Sequence, residues 1–163
     1  MKFIINSQAL LKKLQLLSGV INSNNTLPIL DDFLFELEDT TLQITATDLE
    51  TTLIMKLEPS MADEPGKVTI PAKLLLDFLK YLPDAPITFN IDTNTLGIEI
   101  LSTEGKYKLT GHNAEDYPEL PLLDDTTSFE LASSILAAGI TKTVFATGND
   151  ELRPAMGGVY FDI

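Results

Sequence analysis

Few side chains in this sequence could support catalysis. His112 is the only histidine, and it lies in a polar loop, Gly111 to Tyr117, with no obvious serine partner. A histidine activates a nucleophile only when it can reach one, so we interpret His112 as a surface or loop-packing residue. The sequence contains no cysteine, which excludes disulfides, thiolate nucleophiles and zinc–thiolate sites.

The acidic residues offer no convincing metal site. Asp92-Thr93-Asn94 begins like a calcium-binding loop, but Thr103 stands where such a loop needs a bidentate glutamate, so we predict a plain hairpin. Neighbouring acids rarely converge on one ion, and solvated turns are predicted for three pairs: Asp31-Asp32, Asp63-Glu64 and Asp124-Asp125. Gly157-Gly158 precedes a predicted strand rather than a helix, so it is not a phosphate cradle. The sequence predicts no cofactor, no metal and no enzymatic activity.

Lysines on the predicted helices form the one pattern with a possible function. The predicted helices contain a single acid, Asp77, whereas the whole chain has a net charge of −13. Their lysines are Lys12, Lys13, Lys73, Lys80 and Lys142. One basic surface on an acidic protein suits a polyanion such as nucleic acid. Lysines that merely solubilise exposed helix faces are the alternative, and charge alone leaves both interpretations open.

The elements that must position these lysines belong to a repeated unit. Residues 2–37 match residues 128–163 without a gap, and the apolar positions stay in register. A weaker repeat at an offset of 65 places Phe3 on Val68 and Leu10 on Leu75. Such periodicity indicates duplicated structural units. We therefore expect an α+β domain at 1–126, made of half-repeats at about 1–65 and 66–126, and the truncated start of a second domain at 127–163, as the front part of a longer protein.

Hydrophobic periodicity predicts the individual elements. The first helix has Ser7 as its N-cap and ends before Gly19, and Pro71 opens the second helix. An acidic connection, 58–66, separates the half-repeats. Alternating apolar residues predict strands at 2–6, 33–38, 41–47, 52–57, 67–70, 86–91, 96–101 and 106–110.

The second predicted helix has an additional apolar stripe, formed by Leu74, Phe78 and Tyr81. A helix that is apolar on two sides is either deeply buried or contacts both a core and a partner. We favour a partner, because the remaining stripe is charged. Tyr107 and Leu109 would be exposed nearby if their strand lies at a sheet edge, where another subunit could add on.

Several short motifs, taken together, resemble one known family. They are Met1-Lys2-Phe3, Thr26-Leu27-Pro28-Ile29-Leu30, Thr45-Ala46-Thr47-Asp48-Leu49-Glu50, Ile70-Pro71-Ala72-Lys73 and Asp116-Tyr117-Pro118-Glu119-Leu120. In this order they resemble the bacterial DNA polymerase III β subunits, the replicative sliding clamps. The resemblance implies a DNA-clamp fold of duplicated β-α-β-β-β units, with helices on an inner face and antiparallel sheets on the outer face. It also implies a non-catalytic processivity factor, which encircles duplex DNA as a head-to-tail ring.

The resemblance also implies roles for particular residues. Positions expected to contact DNA are Lys12, Asn24, Lys73, Lys80 and Arg153. Asn24 stands where the family often has a basic residue, so that contact lacks a charge. Positions expected at a homodimer interface are Leu74, Phe78, Lys106, Tyr107 and Leu109.

The partners implied by the resemblance are sequence-independent double-stranded DNA, a DNA polymerase and a clamp loader. The last two would bind parts of a full-length protein that this chain lacks, and the chain alone is expected not to close a ring. No leader, long apolar run or lipidation motif points to a membrane, so a cytoplasmic location is the default. A DNA-independent adaptor built from duplicated α+β units is the alternative function.

Overall fold

The computed structural model describes residues 1–21, 27–119, 129–148 and 154–162, and the chain divides into two compact units, 1–120 and 121–163. In the first unit the strands are β1 Lys2–Asn6, β2 Asp32–Glu38, β3 Thr41–Thr47, β4 Thr52–Leu57, β5 Met61–Asp63, β6 Gly66–Pro71, β7 Pro86–Asp92, β8 Gly97–Ser102 and β9 Gly105–Thr110. The helices are α1 Ser7–Leu17 and α2 Ala72–Lys80, with short 3-10 helices at Pro28–Asp31 and Ala114–Asp116. This arrangement confirms the α+β class, and the strands predicted in this unit agree with the observed ones to within one residue at each end.

The strands form two antiparallel sheets. One has five strands in the order β5-β1-β7-β8-β9, and the other has four in the order β4-β3-β2-β6. The order reveals that the half-repeats exchange their first strands, because β1 joins the sheet of the second half and β6 joins the sheet of the first. Neither half can therefore complete its sheet without the other.

Strand β5 was not predicted. It lies within the acidic connection and pairs antiparallel with β1, placing Phe3 opposite Ala62. A three-residue strand carries too little alternation to be recognised from sequence. It covers the edge that β1 would otherwise leave open, as short edge strands commonly do.

Three fully buried phenylalanines, one from each of three strands, form the centre of the core. Phe3 of β1 and Phe89 of β7 are cross-strand partners with ring centroids 4.7 Å apart. Phe35 of β2, in the other sheet, lies 6.5 Å from Phe3 and 6.4 Å from Phe89. Offset aromatic packing at these distances adds about 0.5–1.5 kcal/mol per pair to the burial of the rings. The cluster joins the two sheets, and the buried leucines of α1 and α2 belong to the same core.

The described part of the second unit is helical. It contains α3 Ser133–Thr143 and 3-10 helices at Val144–Ala146 and Pro154–Gly157. The repeat predicts strands at both ends of this segment, but residues 129–132 and 159–162 form none. A strand needs a hydrogen-bonded neighbour, and in the first unit β1 and β2 each have one neighbour from the other half-repeat, β7 and β6 respectively. Side chains that match core positions of the first unit are exposed here, including Phe129, Leu136 and Phe161. In the described ranges of both units, every helix is too short or too polar to cross a membrane.

Candidate nucleic-acid interface

Helix α1 is fixed at its start by two polar side chains. The N-cap is Asn6, whose side-chain oxygen accepts a hydrogen bond from the amide of Ala9 at 2.8 Å. The prediction of Ser7 as the N-cap was therefore wrong by one residue. Ser7 is fully buried, and its hydroxyl donates to the carbonyl of Pro83 at 2.5 Å and accepts from the amide of Ala85 at 3.3 Å. A serine that begins a helix can thus bind a distant loop instead of its own helix, which local spacing does not reveal.

The lysines of α1 and α2 are exposed on two helices that contact each other. Leu10, Leu14 and Leu17 anchor α1, while Leu75 and Leu79 anchor α2, and all five are fully buried. At 100° per residue, these anchors turn the other side of each helix to solvent. The exposed lysines are Lys12, Lys13, Lys73 and Lys80. Each helix therefore buries one face and presents a basic one.

A shallow groove of about 350 Å³ follows the end of α1 along α2. Ser18 and Ile21 line it from the α1 side, and Lys73, Asp77 and Lys80 line it from α2. The Asp77 carboxylate accepts a hydrogen bond from the Lys80 ammonium at 2.8 Å, and both side chains are about half exposed. The bond from Lys80, with help from the charge of Lys73, lowers the pKa of Asp77. The groove is therefore lined by fixed charges of both signs.

The other predicted DNA contacts cannot be placed beside these. Asn24 and Arg153 lie outside the described residues. Lys142, in α3 of the second unit, is exposed. Of the residues predicted to contact DNA, the structure therefore describes Lys12 of α1 and Lys73 and Lys80 of α2.

The residues predicted at a subunit interface meet where α2 lies beside the edge strand β9. The rings of Phe78 and Tyr107 have centroids 4.6 Å apart at an interplanar angle of 60°. Leu74 is 58% exposed, whereas Tyr107 and Leu109, which were predicted to be exposed if their strand lay at a sheet edge, are half-buried. The packing of Phe78 against Tyr107 accounts for the difference, since a helix side chain covers this face of the strand.

Lys106, on the same edge strand, is held by an acid of the neighbouring strand. Its ammonium lies 2.7 Å from the Glu99 carboxylate of β8. The hydrogen bond from Lys106 lowers the pKa of Glu99. This cation therefore has a partner within the sheet.

A buried carboxylate near the end of β9 was missed. Asp32 was predicted in a solvated turn, but it is only 2% exposed. Its Oδ2 accepts a hydrogen bond from the Thr69 hydroxyl at 2.9 Å and lies 2.6 Å from Nδ1 of His112. His112 also forms a β-bridge with Thr69, and its side chain is 57% exposed, which agrees with the predicted surface or loop-packing role. Eighty residues separate Asp32 from His112, and no sequence spacing signals such a contact.

The connection after β7 is a hairpin, as predicted, and the structure adds that its own aspartate caps the turn. Asp92 accepts hydrogen bonds from the amides of Asn94 and Thr95 at 2.9 and 3.3 Å and from the Thr95 hydroxyl at 2.8 Å. These bonds, that of the Thr95 hydroxyl foremost, lower the pKa of Asp92. Among the residues that the structure describes, no three His, Asp or Glu side chains are grouped so that they could hold a metal ion.

Comparison with known proteins gives a consistent result. The family model of the DNA polymerase III beta subunit, N-terminal domain, matches residues 1–121. The beta sliding clamps of Pseudomonas aeruginosa and Vibrio cholerae are 33% and 34% identical to this chain. Each match covers the whole of this chain and 44% of the length of the relative. The crystal structure of the Pseudomonas aeruginosa DNA polymerase III subunit beta superposes with a TM-score of 0.87, covering 97% of this chain and 43% of the other. The chain thus spans less than half the length of these relatives.

Proposed function

Because this chain belongs to the DNA polymerase III beta subunit family, we propose that it is the first part of a sliding clamp that holds a replicative polymerase on DNA. The clamp encircles the duplex as a head-to-tail ring in the cytoplasm and performs no chemistry of its own. The observation that supports this most directly is that α1 and α2, two helices in contact, each expose lysines on a chain of net charge −13.

The distribution of charge suits a protein that must slide. Lys12, Lys73 and Lys80 are exposed on two neighbouring helices, so they can reach phosphates, which carry no sequence information. The acidic remainder of the chain repels DNA that is not threaded through the ring. A ring is retained by topology, so its contacts can stay weak, and weak phosphate contacts permit movement along the duplex. Asn24 and Arg153 complete the proposed set of contacts.

The proposed interface for a second protomer is the region where α2 meets β9. It combines an unpaired strand edge with the exposed Leu74 and the packed rings of Phe78 and Tyr107. Leu109 and Lys106 extend it along the strand. A free edge offers backbone hydrogen bonds, and the apolar side chains beside it add buried area. In a chain extended to the length of the relatives, Leu74→Asp should raise the dissociation constant of the ring, whereas Leu16→Asp, at an exposed α1 position, should not.

Polymerase and clamp loader are the proposed protein partners, bound through parts of the full-length protein beyond this chain. The names of the relatives support the polymerase, since the matching structure from Pseudomonas aeruginosa is a DNA polymerase III subunit. The 163-residue chain alone is not expected to remain on closed circular DNA.

The test of DNA binding uses two triple variants of equal charge change. Replacing Lys12, Lys73 and Lys80 with Glu should abolish salt-dependent binding to a short duplex, because each lost phosphate contact removes about 0.9 from the slope of log K against log salt. The matched control replaces exposed lysines of the sheets with Glu, namely Lys56, Lys67 and Lys108. It should retain most of the salt-dependent binding. Equal loss in both variants, or no loss in either, would favour the DNA-independent adaptor.

A further inference from the structure

Asp77 has an unusual position on the basic face. It is the only acid in α1 and α2, and it lies between two lysines, four residues after Lys73 and three before Lys80. Its Oδ1 accepts a hydrogen bond from the Lys80 ammonium at 2.8 Å. Residues three and four apart share one helix surface. The carboxylate is thus at the centre of the α2 charge stripe, in the groove that the lysines line.

A carboxylate at this position acts against phosphate binding in two ways. It holds one N–H of the Lys80 ammonium and directs that group towards Asp77, so Lys80 gives a phosphate less charge than a free lysine would. It also places a negative charge beside Lys73, which lowers the positive potential that attracts the duplex. Asp77 is about half exposed, and surface ion pairs of this kind contribute little to folding. Loss of its charge therefore leaves the fold nearly unchanged.

We propose that Asp77 limits the affinity of the helix face for duplex DNA by holding Lys80 in competition with phosphate. This inference rests on the proposed function and adds to it a residue that keeps the contact weak. A clamp that slides needs such a limit, because each additional phosphate contact strengthens binding and slows movement. Asp77 is a positioning residue, since it acts through Lys80 and not on the DNA.

The experiment measures duplex binding by the 163-residue chain over a salt series. Asp77→Asn should bind more tightly at low salt and lose more affinity as salt rises. One additional released counterion steepens the slope of log K against log salt by about 0.9. The ratio of the affinity at about 50 mM salt to that at about 200 mM salt should therefore grow about 3.5-fold. The matched control is Glu99→Gln, which removes one negative charge and frees Lys106 from its 2.7 Å pair on the sheet. This control should leave the slope as it is in the unmodified chain.

A second measurement follows Asp77 directly. In the unmodified chain, the side-chain carboxyl carbon of Asp77 is titrated by NMR with and without the duplex. Binding should raise the pKa of Asp77, because Lys80 turns towards a phosphate and a negative charge approaches. A pKa of Asp77 that stays unchanged on binding would contradict the inference.

The outcomes separate the inference from the function on which it rests. The inference is overturned if the Lys12, Lys73 and Lys80 triple variant loses binding while Asp77→Asn behaves like the unmodified chain. Equal strengthening by Asp77→Asn and Glu99→Gln also overturns it, since net charge would then explain both. If the triple variant binds like the unmodified chain, the proposed function itself fails.

Discussion

Gly111, directly after β9, lies tightly against β6, and a single methyl group there should weaken the first unit. A Cβ built on Gly111 would lie 2.5 Å from the carbonyl oxygen of Thr69 and 2.8 Å from Cγ2 of Val68, whereas ordinary contacts of a Cβ begin near 3.4 Å. The chain would have to move by about 0.9 Å away from β6. That movement opens the bridge next to Gly111, in which His112 and Thr69 exchange backbone hydrogen bonds of 3.0 and 3.2 Å.

The size of the effect follows from these two losses. Overpacking a close contact costs about 1–3 kcal/mol, and each weakened hydrogen bond contributes about 0.5–1.5 kcal/mol. If both bonds are lost in full, the sum is about 2–6 kcal/mol. Because the bonds lengthen without being lost, Gly111→Ala should lower the free energy of unfolding by about 2–4 kcal/mol, a large part of the stability of a typical domain. The Asp32–His112 contact, which depends on the same bridge, should weaken with it.

Amide hydrogen exchange is the suitable assay, because it reports the first unit separately from the second. Protection should fall most at the amides of Thr69 and His112. The matched control is Gly97→Ala, where the nearest atom to the added Cβ is the Thr95 hydroxyl at 3.4 Å. A glycine in an ordinary conformation with room for a methyl group gains about 0.4–1 kcal/mol on substitution. Unchanged protection at Thr69 and His112 in Gly111→Ala would refute the reasoning.

Three further predictions concern the polar groups that hold the first unit together. Asp32→Ala should lower the free energy of unfolding, measured in urea, by about 2–4 kcal/mol, because it removes a buried acceptor and leaves the buried Thr69 hydroxyl without its partner. Surface substitutions typically change this free energy by no more than about 0.5 kcal/mol, and a loss that small would contradict the prediction. Ser7→Ala should cost about 1–3 kcal/mol by leaving the Pro83 carbonyl unpaired, measured in the same way. Burial raises the pKa of Tyr117 from 10.0 to about 12. The neutral phenol therefore stabilises the fold fully below about pH 10, and this contribution is lost as the pH rises towards 12. Tyr117→Phe should flatten the dependence of the free energy of unfolding on pH in that window, and an unaltered dependence would count against the buried phenol.

Sequence reasoning was successful where the determining interactions are local. Alternation of apolar residues located the strands, and the spacing of Leu10 and Leu14 located α1, because side-chain periodicity follows directly from backbone geometry. The Asp92 turn was predicted correctly, since all of its hydrogen bonds lie within three residues. The exposure of the helix lysines also followed from periodicity, once the leucines were assigned to the core.

Distant contacts were decided by the tertiary structure. The roles of Ser7 and Asp32 were wrongly predicted because their partners are far away in the chain, at Pro83 and His112. The half-burial of Tyr107 likewise depends on Phe78, which reaches it from a different element. The pattern of apolar residues indicates which face of a helix or strand is buried, but it does not indicate which other segment of the chain packs against that face.

The sequence by itself determined the repeated β-α-β-β-β unit and the basic and apolar faces of its helices, since both are written in residue spacing. Only the tertiary structure decided that the two half-repeats exchange strands β1 and β6 and that Asp32 lies against His112. The physical reason is that periodicity fixes the direction of a side chain relative to its own backbone, whereas strand partners and side-chain pairing depend on how packed elements meet in space.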